Sequence, residues 1–160
     1  MASPTHPLKG LKRGVLGLKD PSVLIFLDFD GCLHPVNARL ERLFESASLL
    51  AEILIPYPAA QIVLSTSWVY SHGFEQTRDF LPDALQARII GATVQKKRST
   101  RYGEISDYIE THRPARWLAL DDCSEGWPAA ELTHLIQTPM HLGLACPRAT
   151  AALQQALAAK

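Results

Sequence analysis

Apolar residues gather along this chain in short unbroken runs, and polar residues of a few chemical kinds recur where the runs end. Val23-Leu24-Ile25-Phe26-Leu27, Ile62-Val63-Leu64 and Trp117-Leu118-Ala119-Leu120 show no polar alternation. Such runs predict strands buried on both faces, the state of central strands in a parallel sheet. Between them the spacing changes. Leu40, Leu43, Phe44, Ala47, Leu50, Ala51 and Leu54 recur at helical intervals until Pro56 and Pro58 stop them. Helical stretches are expected from about Gly73 to Phe80, after Pro82 towards Ile90, and around Pro128 to Glu131. A longer helix from about Thr100 would put Ile105, Tyr108, Ile109 and His112 on one face. Another from Arg148 onward would carry Leu153 and Leu157, with Pro147 where a first-turn proline is tolerated. Gly91-Ala92-Thr93-Val94 and Leu135-Ile136 complete the expected strands.

Strands alternating with helices imply βαβ units with right-handed crossovers. The expected fold is therefore α/β: a three-layer, Rossmann-like sandwich around a central, mostly parallel sheet. Residues 21–160 form one domain of this kind, with no internal repeat. Residues 1–20, rich in proline and glycine and carrying Lys9, Lys12, Arg13 and Lys19, read as a flexible N-terminal arm.

Composition removes some function classes. Sixteen basic side chains balance sixteen acidic ones, which argues against a protein that holds nucleic acid by its overall field and leaves a local basic groove open. Cys32, Cys123 and Cys146 are odd in number and follow no zinc or redox spacing, as in a reduced intracellular chain. No apolar targeting segment precedes Val23 and no stretch reaches membrane-spanning length. The expected location is the cytoplasm, with no membrane partner.

The chemistry lies where the strands stop. Asp28-Phe29-Asp30-Gly31 follows the first run, Ser65-Thr66 the second, and Asp121-Asp122 the last. In a parallel sheet these ends share one edge, the edge where ligands of open α/β sheets bind. Crowded carboxylates repel one another unless a cation or a shared proton relieves them. Mg2+, a hard ion that takes oxygen ligands and keeps waters, suits such a set together with a substrate phosphate. Lys96-Lys97-Arg98 and Arg101 add cations nearby. A carboxylate can attack phosphorus, a second can move the proton, and a hydroxyl with a cation can hold the phosphoryl oxygens.

The order of these elements resembles the haloacid dehalogenase superfamily of phosphatases, over roughly residues 22–145. Leu64-Ser65-Thr66-Ser67-Trp68, the acid pair and the closing Gly143-Leu144 are similar to its branch named for domains of bacterial RNA-repair ("Swiss Army Knife") proteins. The resemblance implies Asp28 as nucleophile and Asp30 as acid/base, with Asp30 also reaching the metal through its backbone carbonyl. It implies Thr66, with Ser65 the close alternative, as the phosphate-binding hydroxyl. Asp121 would bind Mg2+ directly, and Asp122 directly or through water. Members mostly use a lysine at the third motif; here Arg101 fits best and Lys97 second, and an arginine holds phosphate as a fork. His34 reads as a loop residue, Trp68 as core or site wall, and Cys32 as a small packed side chain.

The spans from Asp28 to Thr66 and from Thr66 to Asp121 are used up by the helices already named, leaving no room for an inserted cap domain. An open site suits large substrates. The expected activity is Mg2+-dependent phosphomonoester hydrolysis through an aspartyl-phosphate, acting on a nucleic-acid end, a nucleotide or another phosphoester. The rival readings are a non-catalytic phosphate- or protein-binding module on the same scaffold, and a small-molecule phosphatase or phosphotransferase with a partner-supplied lid.

Overall fold

The three apolar runs lie side by side in the sheet. The computed structural model describes residues 22–159; the expected N-terminal arm lies outside these residues. Five parallel strands, β1 (Leu24–Leu27), β2 (Gln61–Leu64), β3 (Ile89–Ala92), β4 (Trp117–Asp121) and β5 (Leu135–Gln137), stand in the order β3-β2-β1-β4-β5. The helices are α1 (Ala47–Ile53), α2 (Ser67–His72), α3 (Phe74–Asp79), α4 (Asp83–Gln86), α5 (Arg101–His112) and α6 (Pro147–Ala158). This is the expected three-layer α/β sandwich.

Side-chain alternation divides the core into two layers. Ile25, Leu27, Ile62, Leu64, Leu118 and Leu120 pack with α1, α4 and α6 on one face. Leu24, Phe26, Val63, Trp117 and Ala119 pack with Ile105 of α5 and with Trp127 on the other. Ile25, Phe26 and Leu27 are fully buried, and each such side chain contributes about 1.5–3 kcal/mol by leaving water. Strands buried on both faces explain why the sequence shows runs there.

Three elements depart from the sequence reading. The helix expected from Leu40 begins at Ala47. Leu40–Arg42 is a separate 3-10 turn, Leu40 is exposed, and Phe44 sits at φ 59, a backbone state that no α-helix continues through. The third strand is Ile89–Ala92 rather than 91–94, because its pairing with β2 starts at Ile62↔Ile89 and shifts register there. A short helix, α2, begins directly after Thr66, which caps it by accepting from the Trp68 N–H at 3.4 Å. The long helices match expectation: Thr100 caps α5 through the Gly103 N–H at 3.0 Å, and Pro147 opens α6.

Among the described residues, no inserted domain stands over the carboxyl edge of the sheet. Only the 3-10 turn and α1 lie between β1 and β2.

Candidate active site

Strand register builds the site. Leu27 pairs with Leu64 on one side and Leu120 on the other. The next residues, Asp28, Ser65 and Asp121, therefore emerge in a row at the centre of the edge. One oxygen each from Asp28, Asp121 and Asp122 lies within 4.8 Å of the others. The sequence-predicted acids thus converge, except for the Asp30 side chain.

Arg101, on the first turn of α5, reaches into this group. Its Nε is 3.3 Å from Asp121 Oδ2 and its Nη2 is 3.8 Å from Asp28 Oδ1. Behind it, the buried Glu104 carboxylate lies 3.7 Å from Arg101 Nη1 and accepts from the Ser99 hydroxyl at 2.7 Å. Lys97 is exposed, and no ion pair links it to the acids among the described residues. Lys96 instead holds Asp107. Thr66 and Ser65 are both buried at the end of β2.

Crowding shows in the acids' proton affinities. Burial, then the neighbouring Asp121 carboxylate, pushes Asp28 up to about 7; Arg101 and the Phe29 N–H, which donates to Asp28 Oδ1 at 2.8 Å, pull the other way. Burial likewise raises Asp121 to about 6, partly offset by the Cys123 N–H at 2.9 Å and by Arg101. Asp30 is shifted oppositely. His34 Nε2 donates to its Oδ1 at 3.0 Å and Trp68 Nε1 to its Oδ2 at 2.8 Å, and these donors hold its carboxyl below the usual range.

The His34–Trp68 clamp was not legible as such in the sequence. His34 is fully enclosed, not a free loop side chain. Its Nδ1 accepts from the Phe44 N–H at 3.2 Å, so the ring's proton sits on Nε2 and faces Asp30. Phe44 makes that contact from its left-handed backbone, a state that costs of order 1–3 kcal/mol. Edge-on packing with Phe29 and Trp68, at ring separations of 5.2 and 5.3 Å, holds it there. The only signal in the sequence was aromatic composition around both motifs.

Thr138 is a second residue the motifs did not reveal. Its backbone N–H donates to the Asp121 carbonyl at 3.0 Å, and its hydroxyl donates to the Gly31 carbonyl at 2.6 Å. One residue after β5 thus ties the two acid-bearing turns together. Because the Thr138 hydrogen goes to Gly31, the buried Cys32 thiol donates to its oxygen at 3.2 Å. Two glycines let these turns approach. A Cβ on Gly31, at φ +74, would strike the Asp122 carboxylate; one on Gly143, at φ +57, would strike the Cys32 carbonyl, which accepts from the Leu144 N–H at 2.8 Å.

The donors fit a hard divalent cation. All three convergent groups are carboxylates, the set that Mg2+ takes. Asp121 Oδ2 is buried and accepts no hydrogen bond among the described residues, although Arg101 Nε lies 3.3 Å away as an ion pair, and Gly31 keeps clear the space in which Asp122 turns. A buried carboxylate oxygen that accepts no hydrogen bond is costly, and a cation beside Arg101 would offset that cost.

An acid pair at the end of the first strand, hydroxyls at the second, a cation at the start of the helix before the fourth strand and an acid doublet at its end define the haloacid dehalogenase type of domain. Comparison with family models agrees: residues 24–149 match the HAD domain in Swiss Army Knife RNA repair proteins, and the chain belongs to that family. At the level of the superfamily it is a phosphatase-type hydrolase domain, and domains of this kind are generally Mg2+-dependent. No curated protein and no solved structure matches the chain.

Proposed function

We propose that this domain is a Mg2+-dependent phosphomonoester hydrolase that works through an aspartyl-phosphate on Asp28 and acts on phosphorylated nucleic-acid ends. The observation that carries the reading is the convergence of Asp28, Asp121 and Asp122 beside Arg101 on one open edge of the sheet.

Bound among those carboxylates and the Asp30 backbone carbonyl, Mg2+ would supply positive charge that lets an anionic nucleophile meet an anionic phosphate. Asp28 attacks phosphorus, the bond to the ester oxygen breaks, and Asp30 gives its proton to the departing alkoxide. Asp30 then takes a proton from water, water's oxygen attacks phosphorus, and the bond to Asp28 breaks to release phosphate. Arg101 and the Thr66 hydroxyl, with Ser65 adjacent, hold the equatorial phosphoryl oxygens, where charge resides in the transition state. The clamp from His34 and Trp68 keeps the Asp30 carboxylate apart from the three crowded acids and favours its ionised form, which suits the step that takes a proton from water; the step that gives one requires Asp30 to be protonated against that pull.

Three observations support nucleic-acid ends: no inserted cap domain stands over the edge among the described residues, Lys96-Lys97-Arg98 lies beside it, and the family is described by RNA repair. The test is a turnover screen with Mg2+ over 3′- and 5′-phosphorylated oligonucleotides, nucleotides, sugar phosphates and an aryl phosphate. Asp28→Asn should lower turnover by at least ~10⁴-fold, the order of loss for removing a nucleophile, with an unfolding midpoint no lower than that of the intact chain. EDTA should silence the intact chain. Undiminished turnover in the Asn variant would reject the aspartyl-phosphate.

A further inference from the structure

An apolar cleft beside the phosphate-binding groups plays no part in the chemistry above. It has a volume of about 530 Å3 and runs along the outer strand β3 and the loop that follows it, from Ile90 to Gln95. Val69, Tyr70 and Phe74 of α2 and α3 form the opposite wall. Two of its lining residues belong to the site: Thr66, and Glu104, whose carboxylate lies 3.7 Å from the Arg101 guanidinium. The cleft is therefore continuous with the phosphate-binding groups. Apolar side chains stand open to water around it: Tyr70 is 79% exposed, Val94 69% and Ile90 50%. Beyond Gln95 the chain passes into Lys97 and Arg98, both exposed and neither in an ion pair among the described residues, whereas Lys96 is tied to Asp107 at 2.5 Å.

An apolar and aromatic slot that opens from a phosphate site and ends two residues along the chain from unpaired cations is the surface that a single strand of nucleic acid needs. Bases supply flat apolar rings at every position, and phosphates recur along the strand to meet positive charge. A sugar phosphate, a phosphoserine or a metabolite with no ring would leave the slot wet. The volume lies within the range of pockets that enclose small ligands and is ample for one nucleoside.

We propose that this cleft takes the base of the nucleotide that carries the terminal phosphate of a single-stranded end, with Lys97 and Arg98 meeting the next phosphate of the strand. The proposal rests on the phosphatase reading for its direction, but its test does not depend on turnover. The Asp28→Asn chain, with Mg2+, is titrated by fluorescence anisotropy with trinucleotides labelled at the far end and phosphorylated at the 3′ or the 5′ end. Each is compared with the same strand lacking its terminal base. At least one intact strand should bind roughly 5- to 100-fold more tightly than its abasic partner, the range for one stacked base.

Adding Val94→Glu, an exposed position whose unfolding midpoint should hold within a few degrees, should erase that ratio. Replacing Lys97 and Arg98 with alanine should weaken intact and abasic strands alike and flatten the salt dependence. Equal binding of intact and abasic strands, or a ratio that survives Val94→Glu, overturns the assignment. So does a strand that binds no better than ribose 5-phosphate, which would leave the open edge of β3 to a peptide strand. Base-dependent binding by a chain that, unsubstituted, hydrolyses no phosphoester would uphold the cleft and sink the phosphatase reading.

Discussion

Asp28 and Asp30 are two positions apart and were read from one motif, yet the fold treats them in opposite ways. Asp28 is drawn into a dry row of acids and its proton affinity rises to about 7. Asp30, half exposed, turns across the edge to two N–H donors and its proton affinity falls. The identity of the side chain decides neither outcome. What decides is whether its neighbours are carboxylates in a buried space or donors from an aromatic cluster. The pair therefore suits two jobs, one carboxylate close to a metal and one kept ionised and apart to take a proton from water.

The contrast can be broken residue by residue. Asp30→Asn should have the largest effect after the loss of Asp28. It should slow hydrolysis of alkyl phosphates by about 10²–10⁴-fold, the usual reach of general acid–base catalysis, and should slow an activated aryl phosphate much less. Equal losses across leaving groups would deny Asp30 the proton-transfer role. Trp68→Phe keeps the ring packing and deletes one donor, so the Asp30 carboxyl should rise back towards its ordinary 3.8. Loss of positioning should cost about 10-fold on alkyl phosphates, again with a smaller effect on aryl ones. A uniform loss would mean that the indole serves packing alone.

The Asp28 side of the contrast predicts a pH dependence. Folding raises Asp28 from 3.8 to about 7 and Asp121 to about 6, so the folded chain binds protons that the unfolded chain has released. Stability from these groups is complete below about 3.8 and falls as pH rises through about 6 to 7. In EDTA the unfolding midpoint should drop between pH 5 and pH 8, and Mg2+ at pH 8 should restore it by meeting the ionised carboxylates. A flat profile in EDTA would contradict the crowding. Smallest is Gly31→Ala. It should cost about 1–2 kcal/mol from the left-handed backbone and, because the new Cβ meets Asp122, should weaken Mg2+ binding more than denaturant resistance. Isothermal titration beside a urea melt separates the two effects.

How far the sequence could be read follows from what each feature depends on. β1, β2 and β4 stood out because strands buried on both faces need continuous apolar runs, and the acids stood out because parallel strands bring their ends together whatever their separation in sequence. The 40–54 segment misled. Its leucines recur at helical spacing, but Phe44 leaves the helix to give its N–H to His34, and spacing carries no record of a backbone turned by a partner ten residues earlier. The reach of Arg101 to both acids fitted its place at the head of α5. The grip on Asp30 did not show, because a tryptophan that packs and a tryptophan that donates look alike in a string of letters. Thr138 was hidden for a related reason: a single threonine after a short edge strand carries no pattern at all.

That threonine has a consequence for the order in which the protein is made. Both acid turns are synthesised before residue 138, whose amide and hydroxyl fasten one turn to the other. A nascent chain that ends at Asp122 holds every acid of the centre and lacks the stitch between its halves. The sheet can begin to form from its middle outward, but the centre is finished from its rim, by one of the last strands to be synthesised.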